Sequence, residues 1–170
     1  MADTLALEIV TPEGIMLSEA VDTLTAPGAE GEFGVLPRHR PLLSPLTAGI
    51  LTYTKSGATE SVAIGTGFCE VADDRAVILT DHFVRKNDID PVRVRLELKE
   101  VDEALDRFQG EPSSPEYQAL VVRELWAATQ LELHGDPPPP RIRSMNELES
   151  KLHDTYTKAH STDDGADRPV

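Results

Sequence analysis

The chain has 170 residues, of which 39% are hydrophobic and 5% aromatic, so it can bury a core and has the composition of a soluble globular protein. Its formal charge of -14 argues against nucleic acid and polybasic membrane binding, because both need clustered Lys and Arg. The single cysteine, Cys69, excludes an internal disulfide. No apolar run resembles a signal peptide or a membrane span, so we expect a cytoplasmic protein that is either free or peripheral to a membrane complex.

The first half of the chain alternates apolar and polar residues with the period of a β-strand. Leu5, Leu7 and Ile9 fall on one face of such a strand. Further strands are predicted at 15–17, 21–26, 50–54, 61–64, 68–72 and 76–80. Turn formers separate these segments, and no helical pattern comes between them. The pattern therefore predicts an antiparallel β-sandwich of two sheets over residues 1–87.

The segment 26–50 is unusually rich in residues that interrupt regular structure. Its glycines and prolines are Gly28, Gly31, Gly34, Gly49, Pro27, Pro37, Pro41 and Pro45. They argue against a long helix or a central strand and favour a turn-rich edge of the sandwich. Charged side chains in this segment are expected in solvent as a contact surface: Glu30, Glu32, Arg38, His39 and Arg40.

The pattern changes to helical after residue 87. Asp90 can cap a helix whose first turn holds Pro91. Apolar residues then recur every three or four positions, at Val94, Leu98, Val101, Leu105 and Phe108. Gly110, Pro112 and Pro115 interrupt the pattern, and a second helix is predicted over 116–133. Residues 88–135 should therefore form a helical hairpin.

The second predicted helix is apolar on two sides, which one hairpin partner cannot cover alone. We expect Leu125 to pack on the sandwich, whereas Trp126 fits either the sandwich or another chain. Residues 136–170 are predicted as a proline-rich linker, a short amphipathic third helix and a disordered acidic tail.

No pattern of catalytic or metal-binding residues is present. The histidines lack metal-ligand spacing, and Cys69 is expected to be a small core residue. The glycines of G-A-E-G-E-F-G are not followed by the Lys-Ser/Thr of a phosphate-binding loop. The sequence therefore predicts a non-catalytic protein without a metal or a required cofactor.

Four motifs nevertheless resemble one known family. They are P-G-A-E-G-E-F-G-V-L-P-x-H-x-P-L-L, G-I-L, G-x-G-F-x-E-V and I-D-x-x-R, within a similarity that covers about residues 5–133. Together they resemble the epsilon-subunit family of bacterial-type (F-type) rotary ATP synthases. The resemblance implies a β-sandwich followed by a helical hairpin. It also implies a non-catalytic subunit of the central stalk, bound to the gamma subunit and to the membrane ring of c subunits (the c-ring).

That family lies on the cytoplasmic face of the inner membrane as a peripheral component. Its hairpin can leave the sandwich and extend along gamma towards the alpha and beta subunits, where it inhibits ATP hydrolysis. The resemblance places Glu32 at the c-ring face, with Glu30, Gly31 and His39 in the same loop region, and Arg38 is a further candidate contact with the c-ring. From the residues alone, Glu32 would be an ordinary solvated acid. Arg38 and Arg40 replace small residues that are usual in the family.

Asp90 and Arg93 match the start of a motif with which some family members bind ATP as a regulatory ligand. Val94 departs from the alanine of that motif, and Asp90 is explained equally well as a helix cap. A free-standing ATP-sensing module is therefore the alternative function. The second helix is also less basic than is usual, because Arg123 is opposed by several glutamates. Apolar contacts through Trp126 and Leu133 are thus the candidates for holding an extended hairpin on a partner.

Overall fold

The computed structural model describes residues 4–138 of the chain. The third helix and the tail predicted from the sequence lie outside the described residues, as does the end of the predicted linker. The described part contains ten strands, a short 3-10 turn at Lys86–Asp88 and two α-helices. The elements are β1 (Leu5–Thr11), β2 (Gly14–Val21), β3 (Thr23–Gly28), β4 (Gly31–Val35), β5 (Leu42–Leu46), β6 (Gly49–Lys55), β7 (Ala58–Ile64), β8 (Gly67–Ala72), β9 (Arg75–Thr80), β10 (Phe83–Arg85), α1 (Pro91–Arg107) and α2 (Pro115–His134).

The strands form two halves that are joined at a single residue pair. One half has the order β10-β7-β6-β3, with β4 added beside β3, and the other has the order β5-β8-β9-β1-β2. Gly28 of β3 pairs with Leu46 of β5, and this pair connects the halves. All pairs are antiparallel except β1 with β9. The predicted sandwich followed by a helical hairpin is confirmed, with one parallel pair that the sequence did not indicate.

The core lies between the two halves. Leu5, Leu7 and Ile9 are fully buried, as their alternation predicts. A single apolar cluster contains residues from β1 to β9, so the inner faces of both halves meet there. Each large aliphatic side chain buried in this way contributes about 1.5–3 kcal/mol relative to an exposed one.

The expectation that no central strand crosses residues 26–50 is wrong. β3 pairs with β4 on one side and with β6 on the other. β5 lies between β8 and the end of β3. Proline lacks a hydrogen-bond donor but keeps its acceptor, and the two prolines serve here as acceptors. The Pro27 carbonyl accepts from the Thr47 N–H at 3.1 Å, and the Pro45 carbonyl accepts from the Ala29 N–H at 2.9 Å.

The helices begin and end at capping residues. The Asp90 carboxylate accepts hydrogen bonds from the Val92 and Arg93 N–H groups, which confirms the predicted cap of α1. The Ser114 hydroxyl caps α2 in the same way, and Gly135 ends it in the left-handed conformation. α2 packs against β6, β7 and the 3-10 turn. The hairpin therefore covers the outer face of one half of the sandwich.

Candidate partner-binding surfaces

The turn between β3 and β4 carries the first predicted contact residues. Gly28 pairs with Gly31 where the turn closes, and Gly31 has a φ of 129°, which favours glycine. A Cβ atom on Gly28 would lie 2.5 Å from the Gly31 carbonyl oxygen, so a larger residue at position 28 would not fit this turn without a shift of the backbone. Glu30 and Glu32 are both exposed. We call residues Glu30, Gly31 and Glu32 the acidic turn.

Arg38 and His39 do not lie in the acidic turn. They follow β4, at the far end of that strand, and they precede β5. The Arg38 N–H donates to the carboxylate of Asp74 in the β8–β9 turn. β5 runs from this end of the sandwich to Leu46, beside the acidic turn. The expectation that His39 shares one loop region with Glu30, Gly31 and Glu32 is therefore wrong, because Gly31 and Glu32 begin β4 and His39 follows the end of that strand.

An exposed apolar row crosses the outer face of the second half of the sandwich. Its residues lie directly opposite one another in the strand register, in the order Pro45, Phe68, Leu79, Val10 and Ile15. Phe68, Leu79 and Ile15 are 53%, 49% and 66% exposed. We call these five residues the apolar row. The sequence analysis missed it, although the unbroken apolar run of residues 76–79 could have indicated a strand that is apolar on both faces.

The apolar row and the acidic turn are neighbours. The Ala29 N–H, immediately before Glu30, donates to the carbonyl of Pro45 at one end of the row. This bond places a pair of exposed carboxylates beside an exposed apolar strip. The apolar row lies on the half formed by β5, β8, β9, β1 and β2, whereas the hairpin packs on β6 and β7 of the other half, to which the acidic turn between β3 and β4 belongs. Exposed apolar strips with a charged border are typical of protein–protein contact sites.

A second, smaller cluster fixes the hairpin to the sandwich. Its buried members are Ala63, Ile89, Val94, Ala127, Leu131 and Leu133, and we call them the docking cluster. Val62 and Ile64 belong to the main core, so Ala63 faces the opposite side of β7 and lies under the hairpin. Leu133, predicted as a partner contact, is thus buried against the chain's own sandwich. It could meet a partner only after the hairpin leaves.

Trp126 also faces the sandwich in this conformation. It is half-buried beside the docking cluster, and its ring centroid lies 5.1 Å from that of His82. Of the two predicted positions, the contact with the sandwich is the one observed, and contact with another chain stays a prediction for the extended hairpin. Leu125 is 40% exposed, so the expectation that it packs on the sandwich is wrong.

Asp90 and Arg93 lie at the start of α1. Asp90 Oδ1 lies 3.1 Å from the Val92 nitrogen and 3.2 Å from the Arg93 nitrogen, and the Arg93 side chain is exposed. A groove nearby is lined by Ile50, Ser61, Lys86, Glu132 and Leu133. A phosphate in this groove would meet one cation, Lys86, and one carboxylate, Glu132, which would repel it. Capping explains Asp90 fully, and ATP binding stays a prediction.

Cys69 is buried in the main core. Burial raises the pKa of its thiol to about 11, so it is protonated near neutral pH and is a poor nucleophile. Within residues 4–138, no three His, Cys, Asp or Glu side chains are placed to share a metal ion. No helix in the same residues is both long and apolar enough to cross a membrane.

Comparison with known proteins gives one consistent result. Residues 4–86 match the family described as "ATP synthase, Delta/Epsilon chain, beta-sandwich domain". The ATP synthase epsilon chain of Carboxydothermus hydrogenoformans is 45% identical over 107 residues, which are 63% of this chain and 80% of the relative. That of Nitratidesulfovibrio vulgaris is 42% identical over 125 residues, which are 74% of this chain and 93% of the relative.

A solved structure extends the likeness to both parts of the fold. A chain in the cryo-EM structure of Euglena gracilis mitochondrial ATP synthase, which contains OSCP, F1 and the c-ring, aligns with a TM-score of 0.58 and 25% identity. The alignment covers 89% of this chain and 82% of the other. The observed fold fits the matched sandwich family, and the two named relatives are above 40% identical over most of their own length. This chain therefore belongs to the ATP synthase epsilon-chain family.

Proposed function

We propose that this chain is a non-catalytic central-stalk subunit of a proton-translocating ATP synthase, where it connects the gamma subunit to the c-ring. The observation that carries the proposal is the exposed apolar row, which lies on the half of the sandwich that the hairpin does not cover and ends beside the acidic turn. Membership of the epsilon-chain family supports the same assignment. The subunit would be peripheral, on the cytoplasmic face of the inner membrane.

The apolar row is suited to gamma. A row of five residues in register across five strands offers a rigid strip that a folded partner can cover without reordering. Torque transmission needs such a contact, because a flexible attachment would let the rotor slip. The strip is built on strands of the sandwich and inherits the stiffness of the core.

The acidic turn is suited to the polar loops of the c-ring. Glu30 and Glu32 project from a tight, glycine-closed turn at the end of β3 and β4, where a second surface can approach. Arg38 and His39, which lie at the other end of β4, would not share this contact. We therefore assign the c-ring contact to Glu30, Gly31 and Glu32, and Arg38 and His39 would meet another neighbour.

The coupling role is tested by neutralising the acidic turn. Glu30 and Glu32 are replaced together by Gln, and proton-driven ATP synthesis is measured in membrane vesicles. We expect synthesis to fall while ATP hydrolysis by the detached catalytic head is unchanged. Asp73→Asn is the matched control, since it neutralises an exposed carboxylate in the β8–β9 turn at the opposite end of β5. Normal synthesis and assembly in the double variant would remove the acidic turn from the mechanism.

The hairpin is proposed to act as a brake on ATP hydrolysis by the alpha and beta subunits when it is extended. In the described residues its docking cluster has six buried members, whereas the sandwich core has 17. Detachment of the hairpin would thus break the smaller cluster and leave the core of the sandwich intact. α2 carries Arg123, which already lies 3.6 Å from Glu97, so apolar contacts of Trp126 and Leu133 would hold the extended state. Truncation after Asp88 should raise hydrolysis by the isolated head complex, and an unchanged rate would refute the brake.

A further inference from the structure

Glu70 is a charged residue on an apolar part of the sandwich surface. Side chains two positions apart along a strand share a face, so the outward neighbours of Glu70 on β8 are Phe68 and Ala72. Across the adjacent strands Glu70 lies directly opposite Leu43 of β5 and Val77 of β9. Its nearest neighbours on this face are therefore all apolar, and we call these four residues the apolar frame.

The apolar frame continues the apolar row by one further line of residues. The two share Phe68, and Leu43 and Val77 each lie two positions from a member of the row on the same strand. Such positions are roughly 7 Å apart, which is less than the width of one helix, about 10–12 Å. Leu43 is 70% exposed, so the frame is open to a partner. A partner element that covers the row would therefore also cover Glu70.

Glu70 is the carboxylate on this face that lacks a cation of its own. The charged side chains on the outer face of β5, β8, β9, β1 and β2 are Glu8, Glu70 and Arg75. Arg75 lies diagonally across from Glu70, but its Nη2 is bound to Glu8 Oε2 at 2.7 Å. Among residues 4–138 the structure records no ion pair of Glu70.

We propose that Glu70 is a specificity-determining contact for gamma and that it binds a Lys or Arg side chain of that subunit. The inference rests on the proposed function, since it takes the apolar row as the gamma contact. A carboxylate that a partner covers must exchange its hydration for an ion pair or hydrogen bonds, because a buried, unpaired charge is strongly unfavourable. The side chains of the apolar frame supply neither, so the cation has to come from the partner.

This arrangement makes an apolar surface selective. Burial of an apolar strip is a non-directional driving force, so the strip alone accepts any partner of suitable shape. A carboxylate within it rejects a partner that places an apolar or acidic group opposite Glu70. Complementary charges also fix the register of two surfaces. Glu70 would thus determine which partner the apolar row accepts and where that partner sits.

Two replacements of Glu70 test the ion pair. Glu70→Gln keeps the size of the side chain and removes its charge, whereas Glu70→Leu extends the apolar frame. The dissociation constant is measured for a catalytic head complex that contains gamma but lacks this subunit. We expect both variants to bind about 30-fold or more weakly than the native chain, because each leaves the cation of gamma covered and unpaired. A purely apolar contact would instead bind Glu70→Leu more tightly.

The rate constants distinguish a covered ion pair from a charge at the border of the contact. Loss of a covered pair raises the dissociation rate constant, whereas loss of a border charge lowers the association rate constant. We expect the dissociation rate constant to carry most of the change. Glu111→Gln is the matched control, since Glu111 is an exposed glutamate on the loop between α1 and α2 and should bind normally. Glu70 is exposed, so thermal unfolding of its variants should stay near that of the native chain.

A reciprocal exchange identifies the residue of gamma. Glu70→Lys should weaken binding more than Glu70→Gln does, because it places two cations together. Replacement of one Lys or Arg of gamma by Glu should then restore the affinity of Glu70→Lys.

Several results would overturn the ion pair: normal binding by Glu70→Gln, tighter binding by Glu70→Leu, a change confined to the association rate constant, or no replacement in gamma that restores Glu70→Lys. Normal binding by Glu70→Gln together with weak binding by Phe68→Ser would overturn the ion pair and support the apolar row. Normal binding by both variants would overturn the gamma contact as well. The two proposals therefore fail on different measurements.

Discussion

Replacing Phe68 by Ser tests whether the apolar row binds gamma. Phe68 is 53% exposed, and an aromatic side chain has about 150–250 Å² to bury. Roughly 100 Å² therefore remain for a partner to cover, which corresponds to about 2–3 kcal/mol at ~25 cal/mol per Å². Because side-chain ordering offsets part of this gain, we expect Phe68→Ser to weaken the affinity for gamma about 10- to 100-fold.

The measurement is the dissociation constant of the purified chain for a catalytic head complex that contains gamma but lacks this subunit. Leu79→Ser, the cross-strand neighbour of Phe68, should act in the same direction. Leu96→Ser is the matched control, because Leu96 is 59% exposed on α1 and is not part of the apolar row. Thermal unfolding of all three variants should change little, since each side chain is already about half exposed.

Two binding results would contradict a gamma contact at the apolar row. If Phe68→Ser and Leu79→Ser bind normally while Leu96→Ser binds weakly, gamma contacts the hairpin and not the apolar row. If all three variants bind normally, the exposure of the row has another cause. Either outcome would also mean that the apolar row does not support the proposed place of this chain in the central stalk.

Three further predictions concern stability. Leu131→Ala should destabilise the docking cluster by about 2–5 kcal/mol and release the hairpin. Hydrogen exchange should then become faster in α2 and stay unchanged in the sandwich strands. Equally faster exchange in both parts would contradict separate docking. Gly67→Ala should strongly lower the melting temperature, because its Cβ would lie 1.8 Å from the Leu79 carbonyl oxygen, whereas Gly34→Ala, whose nearest contact is 3.9 Å, should be tolerated. Burial raises the pKa of Cys69 from 9.0 to about 11, so the unfolded chain loses this proton first and stability falls between those pH values, by on the order of 2 kcal/mol. Urea unfolding at pH 9 and 11 should show this loss in the native chain and a smaller one in Cys69→Ala, and equal losses would refute the assignment.

Local features of this protein are determined by its sequence. The alternation of Leu5, Leu7 and Ile9 predicts a strand with one buried face, and the Asp90-Pro91 pair predicts the start of α1. Both features depend on neighbours a few residues apart, through side-chain direction and backbone hydrogen bonding. The sequence alone therefore predicts the succession of strands and helices, and its motifs indicate the family.

Strand order and register were decided only by the tertiary structure. The apolar row joins Val10 to Leu79 and Phe68 to Pro45 through pairings that are distant in the sequence. The same pairings move Arg38 away from Glu32 and bring His82 to Trp126. Each depends on which strands meet across a shared core, and a one-residue shift in register would turn the row inward. Surfaces assembled from remote strands leave no local pattern, because their members become neighbours only when the halves of the sandwich close.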